Sequence, residues 1–351
     1  MNRTLLLNGA PLALLLVGCL STSERGANWQ QEVALATSAK LGGCAIGDLD
    51  PTRAGNELAV VSSTGEVFCI ARTETGWQHE VVATLPGEMI QCAVGDLDPR
   101  HPGDELVAVG KREGGEDDPG AGVAWYFYKS ADGWHSEELF VDTALLHAVC
   151  IGDIDPDRIG NEVLVAGYSR QVHVFAKDGE RWHAQRAGEL AGDAKGAAVA
   201  RGGAAVACAD GSVMLVRKGG DSFSTGLIKR FGHPQARIAG RGGLIAVCDN
   251  GGDMRLLDRD DSNVVHGSDE RLRGAVIMAS GDFGARIATA GYDGEIKLLD
   301  WNANDRNWTK TAIATDSDKF HHLTSGELPE LGRVLVGVGY SGNVVVVSES
   351  R

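Results

Sequence analysis

Short apolar runs, broken every few positions by glycine and aspartate, recur from one end of this chain to the other. Glu57-Leu58, Glu105-Leu106 and Glu162-Val163 each open such a run. Pairs of runs meet through two-residue turns such as Thr64-Gly65, Asp210-Gly211, Asp293-Gly294 and Ser341-Gly342. These dipeptides supply the positive φ that tight hairpins require. Apolar spacing of 3.6 residues does not persist anywhere, so the pattern predicts short strands and an all-β chain.

The strands fall into repeats. Ala45-Ile46-Gly47-Asp48-Leu49-Asp50-Pro51, Ala93-Val94-Gly95-Asp96-Leu97-Asp98-Pro99 and Cys150-Ile151-Gly152-Asp153-Ile154-Asp155-Pro156 are three copies of one phrase. Each leads to Gly, then Asn or Asp, then Glu, at Gly55-Asn56-Glu57, Gly103-Asp104-Glu105 and Gly160-Asn161-Glu162. Degenerate copies lie at 198–203, 238–243, 279–283 and 324–328. An aromatic opens the fourth strand of most units, at Trp77, Trp134, Trp182, Phe223 and Trp308. Four antiparallel strands per unit make a propeller blade. Innermost strands are expected to begin near Cys44, Cys92, Val149, Ala197, Arg237, Val276 and His322, which makes seven blades. The last unit ends after its third strand, and Asn28-Trp29-Gln30-Gln31-Glu32-Val33 copies Gly76-Trp77-Gln78-His79-Glu80-Val81. That N-terminal strand is therefore expected to complete the seventh blade and close the ring.

The Gly-Asp-Leu-Asp-Pro phrase with its Gly-Asn-Glu resembles the FG-GAP and VCBS repeats of integrin-type propellers and exported bacterial proteins. Thr289-Ala290-Gly291-Tyr292-Asp293-Gly294-Glu295-Ile296-Lys297-Leu298-Leu299-Asp300 is similar to a WD-repeat blade, with Leu299 where that family often has Trp. Both resemblances imply a β-propeller, in line with the seven blades counted above, and neither implies a particular reaction.

The N-terminus changes the picture of where the protein works. Arg3 precedes an apolar run at 5–17, too short to span a bilayer and flanked like a cleavable export signal. Leu16-Val17-Gly18-Cys19 resembles the bacterial lipobox, which implies cleavage before Cys19 and acylation of its thiol. The expected organisation is a signal peptide at 1–18, a tether at 19–27 and one propeller domain at 28–351. The expected location is the cell envelope, with the chain lipid-anchored to a bacterial membrane and facing the periplasm or cell surface. Net charge is -15, which excludes nucleic acid as an expected partner and leaves the anchor as the only membrane contact. Six further cysteines are expected as buried free thiols, since Cys44 matches Cys92 and Cys208 matches Cys248 in apolar segments. A Cys44–Cys69 disulfide is the alternative.

Two constellations carry candidate chemistry. In integrin-type repeats a run of acidic residues binds calcium, and Asp48, Asp50, Asp96, Asp98, Asp153 and Asp155 match its first two ligands. Proline follows each pair, and an arginine stands in each loop at Arg53, Arg100 and Arg158. No metal or other cofactor is therefore expected: the guanidinium is expected to bridge Asp50 to Glu57, and likewise in the other copies. Calcium is the alternative. The second constellation is the set of residues just before the innermost strands, which are expected to ring one mouth of the channel. Lys40, His147, Lys195, Arg237, Arg273, Lys319, His321 and His322 make it cationic, with Gln91 and Gln235 among them, and suited to an anionic ligand. Strand alternation allows only one of His321 and His322 to face the channel. The 111–122 insertion, with Glu113, Glu116, Asp117, Asp118 and Pro119, is a further candidate for recognition.

No nucleophile elbow, zinc spacing or phosphate loop is present. The expectation is a monomeric, non-catalytic binding propeller that recognises a protein or glycan. Alternatives are a lyase or hydrolase acting on an anionic saccharide at the mouth, and a calcium-dependent adhesion module.

Overall fold

The computed structural model describes residues 29–114, 120–258, 261–278, 286–302 and 304–350. The proposed signal, tether and Cys19, the copy at 279–283, and the middle of the 111–122 insertion lie outside them.

Among the described residues all regular structure is strand, arranged as seven four-stranded antiparallel sheets. In the first blade the order from axis to rim is Leu41–Gly47, Glu57–Ser62, Glu66–Thr73 and Gly76–Thr84. Five more blades repeat this order. The seventh runs Phe320–Leu328, Gly332–Gly339, Asn343–Glu349 and then Trp29–Ala36, so the ring closes as the repeat count requires. Trp29 lies opposite Glu349 and Val33 opposite Val345. Gln31 ties this strand to the sixth blade, its amide nitrogen donating to the Thr315 carbonyl (2.8 Å) and its oxygen accepting from Thr315 N (3.0 Å).

Second and third strands are apolar on both faces because each blade is sandwiched between two others. Leu58, Val60, Val334 and Val336 interlock across the closure, and Val61, Val67, Met89 and Phe127 across the first two blades. The aromatic run expected to be partly core is so: Tyr126 and Phe127 are fully buried. All six cysteines of the ring are buried and free. The tight turns behave as read. Gly342 has φ of +80°, and a Cβ there would lie 2.1 Å from the Thr37 carbonyl oxygen.

Every innermost strand carries a β-bulge near its start. The ladder shifts across Gly42, Ile90, His147, Lys195, Ala236, Arg273 and His321. A bulge inserts one residue without a partner and re-aims its side chain. This corrects the expected strand starts, which lie two to five residues earlier, as at Leu41 and Gly87. His147, Lys195, Arg273 and His321 are thus bulge residues inside strands and not loop residues ahead of them.

Candidate functional site

The bulges place four of the eight expected site residues around one end of the axis. Three tyrosines, Tyr168, Tyr292 and Tyr340, stand in the turns after the second strands of their blades. They connect the set. Lys195 Nζ lies 3.9 Å from the centroid of Tyr168 and is bonded to its hydroxyl, while His147 stacks on the same tyrosine. Lys40 Nζ lies over Tyr340 at 4.9 Å, and His321 stacks there too. Arg273 and Lys319 both sit over Tyr292, at 4.9 and 5.2 Å. The Tyr292 and Tyr340 hydroxyls are 3.2 Å apart.

Arg237 lies deeper. It is only 4% exposed, and its Nη1 donates to the carbonyls of Lys195 and Ala236, each at 2.9 Å. Gln91 is oriented so that its nitrogen donates to the His147 carbonyl (2.9 Å) and its oxygen accepts from Arg237 Nε (3.0 Å). His321 Nδ1 donates to the Gly42 carbonyl (3.0 Å), with Arg237 Nη2 3.4 Å away. These contacts form a plug between two recesses. The upper, about 260 Å³, is lined by Lys40, Ser63, Glu88, His147, Tyr168, His321 and Tyr340 among others. The lower, about 280 Å³, is lined by Gln91, Arg237, His322 and the cysteines Cys44, Cys92 and Cys150.

Both adjacent histidines reach the channel, at different levels, which corrects the expectation that only one does. His321 lines the upper recess, and His322, with Nδ1 3.3 Å from Cys44 N, lines the lower. The bulge between Phe320 and His322 breaks the alternation that would send neighbours to opposite faces.

Burial and the neighbouring Arg237 charge keep these imidazoles neutral. His321 and His322 are lowered to about 3, and His147 falls well below its ordinary value. Burial followed by Arg273 lowers Arg237 to about 10, which leaves it charged at neutral pH. Burial opposes ionisation of Tyr292, but the bond from Tyr340 and the Arg273 charge outweigh it and lower its pKa. Tyr340 is pushed up to about 12 by burial and by donating to Tyr292. Burial holds the Cys92 and Cys150 thiols at about 12, so they are not thiolates. Among the described residues none of Lys40, Lys195, Arg237, Arg273 and Lys319 is ion-paired to a carboxylate.

By fold the chain is a seven-bladed β-propeller. A solved structure, the WD40 β-propeller domain of Doa1, superposes with a TM-score of 0.64 at 14% identity, covering 93% of this chain and 98% of that one. At that identity the likeness concerns fold alone. No family model and no curated protein matches the sequence.

The aspartate loops have a different role from the mouth. Asp50, Asp98 and Asp155 are buried and accept from the backbone two residues on, at Thr52, Arg100 and Asp157. Each also faces a lysine of the next blade: Lys129 Nζ is 2.8 Å from Asp50, Lys177 is 4.0 Å from Asp98, and Lys218 is 2.8 Å from Asp155. The expected arginine bridge from Asp to Glu does not form. Arg53 pairs with Asp50 alone and Arg100 with Asp98 alone, while Arg158 approaches Glu162 at 3.9 Å. Glu57 Oε2 instead accepts from the backbone of Leu49 and Asp50 (both 3.0 Å), a pattern repeated at Glu105 and Glu162. Asp48 is half-buried while Asp96 and Asp153 are exposed, so the two aspartates of a phrase serve different surroundings. Among the described residues no group of three or more His, Cys, Asp or Glu is placed to hold a metal ion.

Each of these lysines also lies over the aromatic that opens its own outer strand, as Lys129 over Trp134 (5.4 Å) and Lys177 over Trp182 (4.6 Å). The indoles reach back as well. Trp77 Nε1 donates to Glu32, Trp134 to Glu80 and Trp182 to Glu137 of the preceding blade.

Proposed function

We propose that this protein is a non-catalytic binding module of the bacterial cell envelope, lipid-anchored through Cys19, that takes an anionic group of its partner at the cationic mouth. One observation carries the reading. Bulges aim His147, Lys195, Arg273 and His321 at one end of the axis, next to a buried Arg237 that has carbonyl partners but no carboxylate, in a chain of net charge -15. A buried, unneutralised guanidinium is costly to keep, and an incoming anion repays that cost. The fold supports a rigid display surface and commits the chain to no reaction.

The FG-GAP and VCBS resemblance rests on the three Gly-Asp-x-Asp-Pro phrases. Their ion pairs latch blade to blade, so the loops act as scaffold and the mouth as receptor. The test is affinity capture from the native envelope by wild type and by the Lys195→Gln, Arg273→Gln double variant, with matched melting curves. A partner held by wild type and lost by the variant is expected. A partner retained equally by both would overturn the mouth as the binding site.

A further inference from the structure

We infer, resting on that reading, that the anionic group is a side-chain carboxylate of an acidic, extended polypeptide segment, seated in the upper recess beside Gly42. The recess exists because the bulge positions are unequal. Five of the seven are His147, Lys195, Ala236, Arg273 and His321, whereas the first two blades offer Gly42 and Ile90. A Cβ on Gly42 would lie 2.6 Å from the Met89 carbonyl oxygen, so this position stays bare. Space opens on that side of the axis. At about 260 Å³ it takes one short group and not a large ligand.

The lining asks for an acceptor. His147 is 8% exposed, lines the recess, and its Nδ1 has no partner among the described residues. Lys40, Tyr168 and Tyr340 line the recess as well, and Glu88 is the carboxylate on the wall.

Ring-face occupancy separates a peptide from a glycan. Sugar rings are held by stacking on open aromatic faces, and these tyrosines are already engaged. Tyr168 is taken by Lys195 and His147, Tyr340 by Lys40 and His321, and Tyr292 by Arg273 and Lys319. Ammonium groups without a carboxylate remain, Lys40 on the recess wall among them, which suit small planar acceptors. The donors are scattered side chains and not a nest of backbone N–H groups, which disfavours phosphate. Charge then sets the shape of the partner. The body is acidic, with Asp269, Glu270 and Asp318 exposed in loops that lead into the innermost strands, so a broad acidic surface is repelled while a slender segment concentrates its charge on the axis.

Fluorescence anisotropy on the full chain tests this with four labelled probes: a blocked hepta-glutamate peptide, its hepta-glutamine counterpart, a heptamer of galacturonate, and tripolyphosphate. Hepta-glutamate is expected to bind, with at least ~10-fold weaker binding of the other three, and to weaken with added salt. Lys40→Gln is expected to cost ~10-fold, the scale of one charge-assisted bond, and Lys229→Gln on the exposed outer strand nothing. Equal binding of the glutamine peptide, or tighter binding of galacturonate or tripolyphosphate, would overturn the acidic-segment inference and leave the cationic mouth standing. Failure of all three anionic probes to bind wild type would overturn the mouth reading itself.

Discussion

Lys129 of the second blade sets its ammonium 2.8 Å from Asp50 of the first, across the seam between two sheets. Burial pushes the Asp50 carboxyl up, but hydrogen bonds from Lys129 and Thr52 outweigh it and hold the group below its ordinary value. Lys129 also reaches Glu80 at 2.9 Å. Lys129→Met is therefore expected to destabilise the fold by about 2 to 3 kcal/mol, since it leaves a buried carboxylate with the largely exposed Arg53 as its one cation besides the Thr52 hydrogen bonds. Chemical denaturation of the variant checks this, and an unchanged midpoint would remove the latch from the account.

Arg53 is 41% exposed at 3.1 Å from the same carboxylate, so Arg53→Ala is expected to cost under ~1 kcal/mol. With Lys129 supplying the cation of the loop, chelator is expected to leave the melting temperature of wild type unchanged. Thermal melts with chelator and with excess calcium check both statements. A chelator-sensitive wild type would make calcium the loop's cation.

Closure rests on one strand far from its sheet in sequence. Deletion of Trp29–Ala36 removes a full ladder of backbone bonds from Asn343–Glu349 and uncovers Val344 and Val346. The loss is expected to reach several kcal/mol or to abolish folding. A variant that melts like wild type would mean that the strand is dispensable.

The mouth histidines make stability depend on acid. His321 and His322 have folded pKa values near 3 against 6.5 when free, so the unfolded chain binds more protons between those values. Their contribution is present above pH 6.5 and lost as pH falls towards 3, at about 1.4 kcal/mol per unit for each neutral imidazole. Glu57 and Glu105, raised to about 7 by burial, act oppositely: their contribution is present below 4.5 and lost as pH rises through 7. Replacing His321 by Gln is expected to flatten the acid side of the stability curve by close to one proton. An unaltered slope would show that His321 is not the group responsible.

Much of the ring was legible because the repeat is a matter of local pattern. Copies of one phrase, a glycine in most hairpins and an aromatic opening most outer strands suffice to count blades, and Trp29 copying Trp77 reveals the closure. Bulges were not legible, since an inserted residue leaves the apolar pattern nearly unchanged while moving the side chain to another direction. That is why Lys195 and Arg273 were assigned to loops and why His321 and His322 were set on opposite faces. The tyrosines were missed although Gly167-Tyr168-Ser169, Gly291-Tyr292-Asp293 and Gly339-Tyr340-Ser341 stand at one position of three repeats. The latch had a signal too: Arg72, Lys129, Lys177 and Lys218 each precede the outer-strand aromatic by the same spacing. Its meaning lay between blades, and a repeat read by itself does not show what it faces.

The claim that the mouth is the receptor is tested most directly by photo-cross-linking in cells. A photoreactive phenylalanine analogue replaces Ser63 on the upper recess in one strain and Leu227, exposed on an outer strand, in another. A discrete cross-linked partner is expected from the Ser63 position, and it should disappear when Lys195 and Arg273 are both changed to Gln. A partner captured from the Leu227 position and not from Ser63 would contradict that claim.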